Sequence, residues 1–225
     1  MIIPKFNFHI YPIIICISII IGLFYIYFSI KKEKEWNPLI YLFFLISIYT
    51  VLVSAKFFAM ITEGEINFFK AGLASFGGAI GLIGSSIIFE LILHLKGKLL
   101  KYSIISLALI YGLSKIGCFL AGCCYGIPYN GLLSVTYPDG LNIPLFPVQL
   151  LESIVFIIIF FILNKQKNNK NIIYISLITM SISKFFLDYL RYEHFYTNFN
   201  SNQIVSFIVL FITVIFMFIK EKKET

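Results

Sequence analysis

Seven stretches of nearly unbroken apolar residues run along the chain, divided by short polar connections. They fall at about Tyr11–Ile30, Pro38–Ala55, Gly72–His94, Ser103–Gly122, Phe146–Leu163, Ile172–Tyr192 and Gln203–Ile219. Each is close to the length of about 20 residues that a helix needs to cross a bilayer. The first is too long for a signal peptide and lacks a small-residue cleavage site, and "KKEKE" follows it as a stop signal, so it is expected to stay in the mature protein. No repeat at a solenoid period and no soluble domain interrupt the series.

The connections alternate in charge. "KKEKE" at 31–35, "KGKLLK" at 96–101, "NKQKNNK" at 164–170 and the tail "KEKKET" at 220–225 hold twelve of the eighteen basic residues, and they occupy every second connection. By the positive-inside rule these are cytoplasmic. The amino terminus is then outside and the carboxyl terminus inside, which requires an odd number of spans. The predicted fold is an all-α integral membrane protein of seven transmembrane helices, with residues 1–225 forming a single transmembrane domain.

Composition agrees with this pattern. Of 225 residues, 59% are hydrophobic, and the mean hydropathy of +0.91 excludes a soluble globular domain. The net charge of +7 therefore belongs to membrane orientation, and no nucleic-acid partner is expected. Lysine supplies all the basic residues except Arg191.

Six basic residues lie outside the lysine-rich connections: Lys5, Lys56, Lys70, Lys115, Lys184 and Arg191. A charge at the centre of a span costs about 2.5–3.5 kcal/mol on insertion scales, so it needs a partner or a cavity. In "SKFFLDYLRYEH", Lys184, Asp188 and Arg191 are spaced i, i+4 and i+7, which places them on one helix face. Lys115 lies on the fourth span and Glu152 about two turns into the fifth, so all five fall in the outer half of the membrane. Three cations facing two carboxylates leave one positive charge for an anion such as a lipid phosphate. Structural ion pairs, with Lys115 and Arg191 snorkelling to the headgroups, are the alternative. Glu90 and His94 read as interfacial.

Small residues crowd two segments. In "GLASFGGAIGLIGSS", Gly77, Gly78 and Gly81 give thin helix faces that suit either close packing or the approach of a bulky lipid. In "SKIGCFLAGCCYG", Gly117, Gly122 and Gly126 alternate with Cys118, Cys123 and Cys124. No histidine is near, so the cysteines read as small, polarizable packing, with a disulfide on the outer side as the alternative. Neither a metal nor a cofactor is expected. In "FPVQLLES", Pro147 suits the first turn of a helix, and Gln149 and Glu152 point to one side and need polar partners.

Together these motifs resemble the prolipoprotein diacylglyceryl transferase family, over nearly the whole chain and in the family's order. "SKIGCFLAGCCYG" is similar to its Arg-Ile-Gly signature, "FPVQLLE" to its His-Pro-Ser-Gln-Leu-Tyr-Glu motif, "KFFLDYLR" to Arg-Phe-x-x-Glu-Phe-x-Arg, and "SFGGAIG" to its Gly-Gly stretch. Seven spans with the amino terminus outside also match. The resemblance implies a transferase of the bacterial cell membrane. It would move diacylglyceryl from phosphatidylglycerol to a cysteine thiol of a prolipoprotein or related lipid acceptor, releasing glycerol phosphate. It implies catalytic roles for Lys115, Glu152, Lys184, Asp188 and Arg191, and lipid-binding roles for Tyr11, Gly77, Gly78, Cys118, Gly122, Tyr125, Gly126 and Gln149. Here Lys115 stands for the signature arginine, Cys118 for an asparagine, Lys184 for an arginine and Asp188 for a glutamate. Phe76 and Phe146 stand where the family has histidines, and the segment from Gly126 to Phe146 is short, which implies a reduced external head and a divergent branch. A paralogue with a different acceptor, a non-catalytic lipid-binding protein, or a transporter with a midplane charge pair are the competing expectations.

Overall fold

The computed structural model describes residues 10–33, 37–137, 141–196 and 199–224; Lys5 and Asp139 lie outside them. Seven α-helices follow one another: α1 Ile10–Lys32, α2 Leu39–Glu63, α3 Ser75–Leu93, α4 Lys98–Ala121, α5 Val148–Lys165, α6 Ile172–Leu187 and α7 Ser201–Glu224. All seven segments, α6 with its following turn included, are long and apolar enough to span a membrane. Among the described residues the only β pairing is three isolated bridges. The polarity is that of a membrane protein. Leu45, Tyr49, Leu91 and Phe161 are well exposed, while Ser47, Ser86, Ser106 and Glu152 are buried.

The chain contacts divide into two compact units, one of Ile19–Leu107 and one of Ala108–Thr225 with the start of α1. In the first, α2 and α3 pack at small residues. A Cβ at Gly77 would meet Phe58 Cβ at 2.5 Å and Ala55 Cα at 2.8 Å, and one at Gly81 would meet Thr50 O at 2.5 Å. Hydroxyls finish the contact, with Ser47 Oγ 3.1 Å from Ser85 Oγ and Thr50 Oγ1 donating to Gly81 O at 3.3 Å. Left-handed His94, Lys96 and Gly97 turn the chain between α3 and α4. The Glu90 carboxylate then accepts the N–H groups of Gly97 (2.7 Å) and Leu100 (3.1 Å), placing an anion at the start of α4.

Two of the lysine-rich connections meet in this unit. Lys98 Nζ lies 3.3 Å and Lys101 Nζ 3.8 Å from the Glu33 carboxylate, to which the Tyr102 hydroxyl also donates. The Tyr102 hydrogen bond and the two lysines hold the Glu33 carboxyl below its ordinary pKa. The other two meet in the second unit, where Lys220 Nζ donates to Asn171 Oδ1 at 3.0 Å. Within each unit the two basic connections thus share one end of the helices, as the charge alternation requires.

The short segment between α4 and α5 folds over the end of α4. Phe119, Val135, Tyr137 and Leu145 form a small buried core, and Val135 and Leu145 exchange backbone hydrogen bonds of 2.9 Å. The Tyr137 hydroxyl donates to Phe119 O at 3.1 Å, and burial pushes its phenol pKa up.

Candidate active site

Helices α4, α5 and α6 each bring one part of a buried ionic network. Lys115 lies in the last two turns of α4. Gln149 and Glu152 lie in the first turns of α5, which starts at Val148, with Pro147 as the cap and not in the first turn as expected. Lys184 lies in the last turn of α6. The sequence predicts one continuous helix through Lys184, Asp188 and Arg191, and the structure corrects this. The helix ends at Leu187, Asp188–Leu190 form a 3-10 turn, and Arg191 is extended (φ −87°, ψ 146°). The cause is a long-range pairing. Arg191 forms a β-bridge with Gly126, while Ile127 N–H donates to Leu190 O and Tyr192 N–H to Tyr125 O, both at 3.0 Å. That pairing needs Gly126, because a Cβ there would meet the backbone of Phe146.

All five charged residues converge despite the broken helix. Glu152, fully buried, is the hub. Its Oε1 accepts Tyr111 Oη–H at 2.8 Å, Lys184 Nζ at 3.1 Å and Arg191 Nη2 at 3.0 Å. Its Oε2 accepts Arg191 Nη2 at 2.9 Å and pairs with Lys115 Nζ at 3.2 Å. Asp188, also fully buried, pairs through Oδ1 with Lys184 and lies 2.8 Å from Arg191 Nε. The Nε–H is not directed along that line, so the contact is an ion pair and not a hydrogen bond. Asp188 Oδ2 and Gln149 Oε1 are buried without a hydrogen-bond partner among the described residues. Buried acceptors in that condition are exceptions that call for a ligand, a water or a proton.

Tyr111 is the residue the sequence reasoning missed. Besides its bond to Glu152, its ring lies 4.9 Å from Lys115 Nζ and 5.6 Å from Lys184 Nζ, within cation–π range. Its position four residues before Lys115 on an apolar helix was the available signal.

The residues expected to hold lipid divide into three groups. Gln149 Nε2 donates to Cys123 O at 2.7 Å, so it braces the turn beyond α4. Tyr11, Cys118, Gly122, Tyr125 and Gly126 sit around the same turn. Gly122 is left-handed (φ +63°), and a Cβ there would meet Tyr137 Cδ1 at 2.9 Å. The Tyr125 ring packs against Tyr137 at a tilt of 50°, with ring centroids 5.3 Å apart. A Cβ on Gly117 would approach Tyr11 Cδ2 at 3.7 Å. Gly77 and Gly78 belong to the α2–α3 pair, where close packing accounts for Gly77. Gly77 also lines an apolar groove of about 860 Å³ on that pair.

The thiols of Cys118, Cys123 and Cys124 are free and lie within 4.8 Å of one another. Hydrogen bonds from Cys118 and Cys123 pull the Cys124 thiol below its ordinary pKa, against its burial. Their convergence was not part of the packing expectation.

The helices and this network define a class: a multi-pass membrane protein with a buried, net-cationic site at the meeting of α4, α5 and α6. The family model described as prolipoprotein diacylglyceryl transferase matches residues 1–219, and the chain belongs to that family. It is 35% identical over 129 residues to a phosphatidylglycerol–prolipoprotein diacylglyceryl transferase 2 of Clostridium perfringens, covering 52% of this chain and 48% of the relative. It is 33% identical over 102 residues to a phosphatidylglycerol–prolipoprotein diacylglyceryl transferase of Clostridium tetani, covering 42% and 41%. The chain thus spans about half the length of the curated relatives it matches.

Proposed function

We propose that this protein transfers diacylglyceryl from phosphatidylglycerol, or a close anionic glycerophospholipid, to a cysteine thiol of a prolipoprotein or related acceptor. The reaction takes place at the outer leaflet of a bacterial plasma membrane, with the amino terminus outside, and releases glycerol phosphate. The observation that carries this is the network around Glu152, in which three buried cations face two buried carboxylates. The uncompensated positive charge suits a phosphodiester. As the acceptor sulfur bonds to the glyceryl carbon, the C–O bond breaks and the phosphate oxygen gains negative charge. Lys115 and Arg191 are held, through Glu152, where they can receive that charge without reorganising. Glu152 is committed to four donors. Asp188 Oδ2 is the acceptor atom left for the thiol's proton.

The test is replacement of the resident transferase in a bacterium depleted of it. Transfer predicts restored growth and diacylglyceryl on prolipoprotein. Full expression without lipid on any prolipoprotein would contradict this acceptor and leave lipid binding or a different acceptor.

A further inference from the structure

We infer that Cys118, Cys123 and Cys124 form a binding site for one thiophilic metal ion of the zinc class, whose open fourth position takes the acceptor thiol. The first observation is the geometry. Three free thiols lie within 4.8 Å of one another at the end of α4. Tetrahedral zinc holds thiolate sulfurs at about 2.3 Å, hence about 3.8 Å apart, which small rotations of three such side chains reach. The second is how the backbone achieves it. Gly122 (φ +63°) and Cys124 (φ +56°) are both left-handed, and Cys123 N–H donates to Cys118 O at 3.1 Å. A side chain in that region is disfavoured unless the surroundings require it. Packing alone does not require a cysteine there. A turn that aims three sulfurs at one point does.

Three thiolates satisfy three positions of a tetrahedral ion, and the group contains no fourth His, Cys, Asp or Glu among the described residues. Three protein ligands with one open position is the pattern of catalytic zinc. The open position answers a difficulty in the transfer chemistry, on whose reading this inference rests. A carboxylate has an ordinary pKa of about 3.9 and a thiol about 8.5, so Asp188 alone is a poor base for a thiol. Metal coordination deprotonates a thiol outright. The balanced sequence is then complete. The acceptor sulfur takes the fourth position and its proton passes to Asp188 Oδ2. That sulfur forms the C–S bond to the glyceryl carbon. The C–O bond breaks, and its electron pair leaves on the phosphate oxygen.

The experiment uses the whole protein, purified in detergent with reductant and dialysed against a weak chelator. Elemental analysis is expected to give one zinc per chain, and cobalt replacement a thiolate-to-cobalt charge-transfer band. Cys118→Ser, Cys123→Ser and Cys124→Ser are each expected to lower zinc content at least tenfold with helicity retained. Cys16→Ser, at an exposed cysteine, and Arg191→Ala are expected to keep it. N-acetylcysteine amide is expected to shift the cobalt spectrum, and its serine analogue to leave it alone. Wild-type protein without stoichiometric zinc, zinc indifferent to the three substitutions, or a disulfide within the trio would overturn the inference. The two readings fail separately. Bound zinc without any lipid transfer would sink the transferase and keep the site. Undiminished transfer in a metal-free triple-serine variant would sink the site and keep the transferase.

Discussion

Arg191 is the only arginine in a chain that otherwise spells its cations as lysine, and its contacts give a reason. Its guanidinium reaches both oxygens of Glu152 through Nη2 while Nε lies against Asp188. A lysine ammonium is a point charge without that fork. Arg191→Lys is therefore expected to stay folded yet lose about 100- to 1,000-fold in turnover, the range for removing one pre-aimed donor. Arg191→Ala additionally breaks a buried pair, for which the cost is about 3–5 kcal/mol of stability. Steady-state release of glycerol phosphate and a thermal melt separate the two effects. Unchanged turnover in Arg191→Lys would mean that charge alone suffices there. The network's membership was largely readable from charges placed where apolar spans do not tolerate them. Tyr111 was readable too, through its spacing from Lys115, but a single tyrosine on an apolar helix carries no such penalty and so drew no notice.

At the scale of the element, hydropathy placed the seven helices, and the misses fall where long-range contacts override local pattern. Nothing in "KFFLDYLR" breaks a helix, since it holds neither glycine nor proline. The break after Leu187 comes from pairing with Gly126, more than sixty residues earlier. The three cysteines likewise converge only because Gly122 and Cys124 are left-handed, a property that sequence spacing does not encode. Glycines in α3 make the same point in a testable form. Gly81→Ala would push a Cβ into Thr50 O and Ser54 Oγ of α2, whereas Gly84 has open space. Overpacking of that kind costs about 1–3 kcal/mol. Thermal denaturation in detergent is expected to show a lowered midpoint for Gly81→Ala and little change for Gly84→Ala. Equal midpoints would remove the packing role assigned to Gly81.

For the whole molecule, the family model covers residues 1–219, and the proposed transfer rests on the three buried cations and two buried carboxylates of the network. Lys115, Glu152, Lys184, Asp188 and Arg191 carry that network within one compact unit. The decisive measurement is release of glycerol phosphate from headgroup-labelled phosphatidylglycerol by purified protein supplied with a cysteine-containing lipoprotein peptide. Wild type is expected to release the label in step with lipid appearing on the peptide, and Lys115→Ala and Arg191→Ala to reduce both by at least 100-fold while remaining folded. Normal release by both variants would place the chemistry elsewhere in the molecule, and no release by active-folded wild type at any peptide concentration would contradict transfer to a thiol altogether.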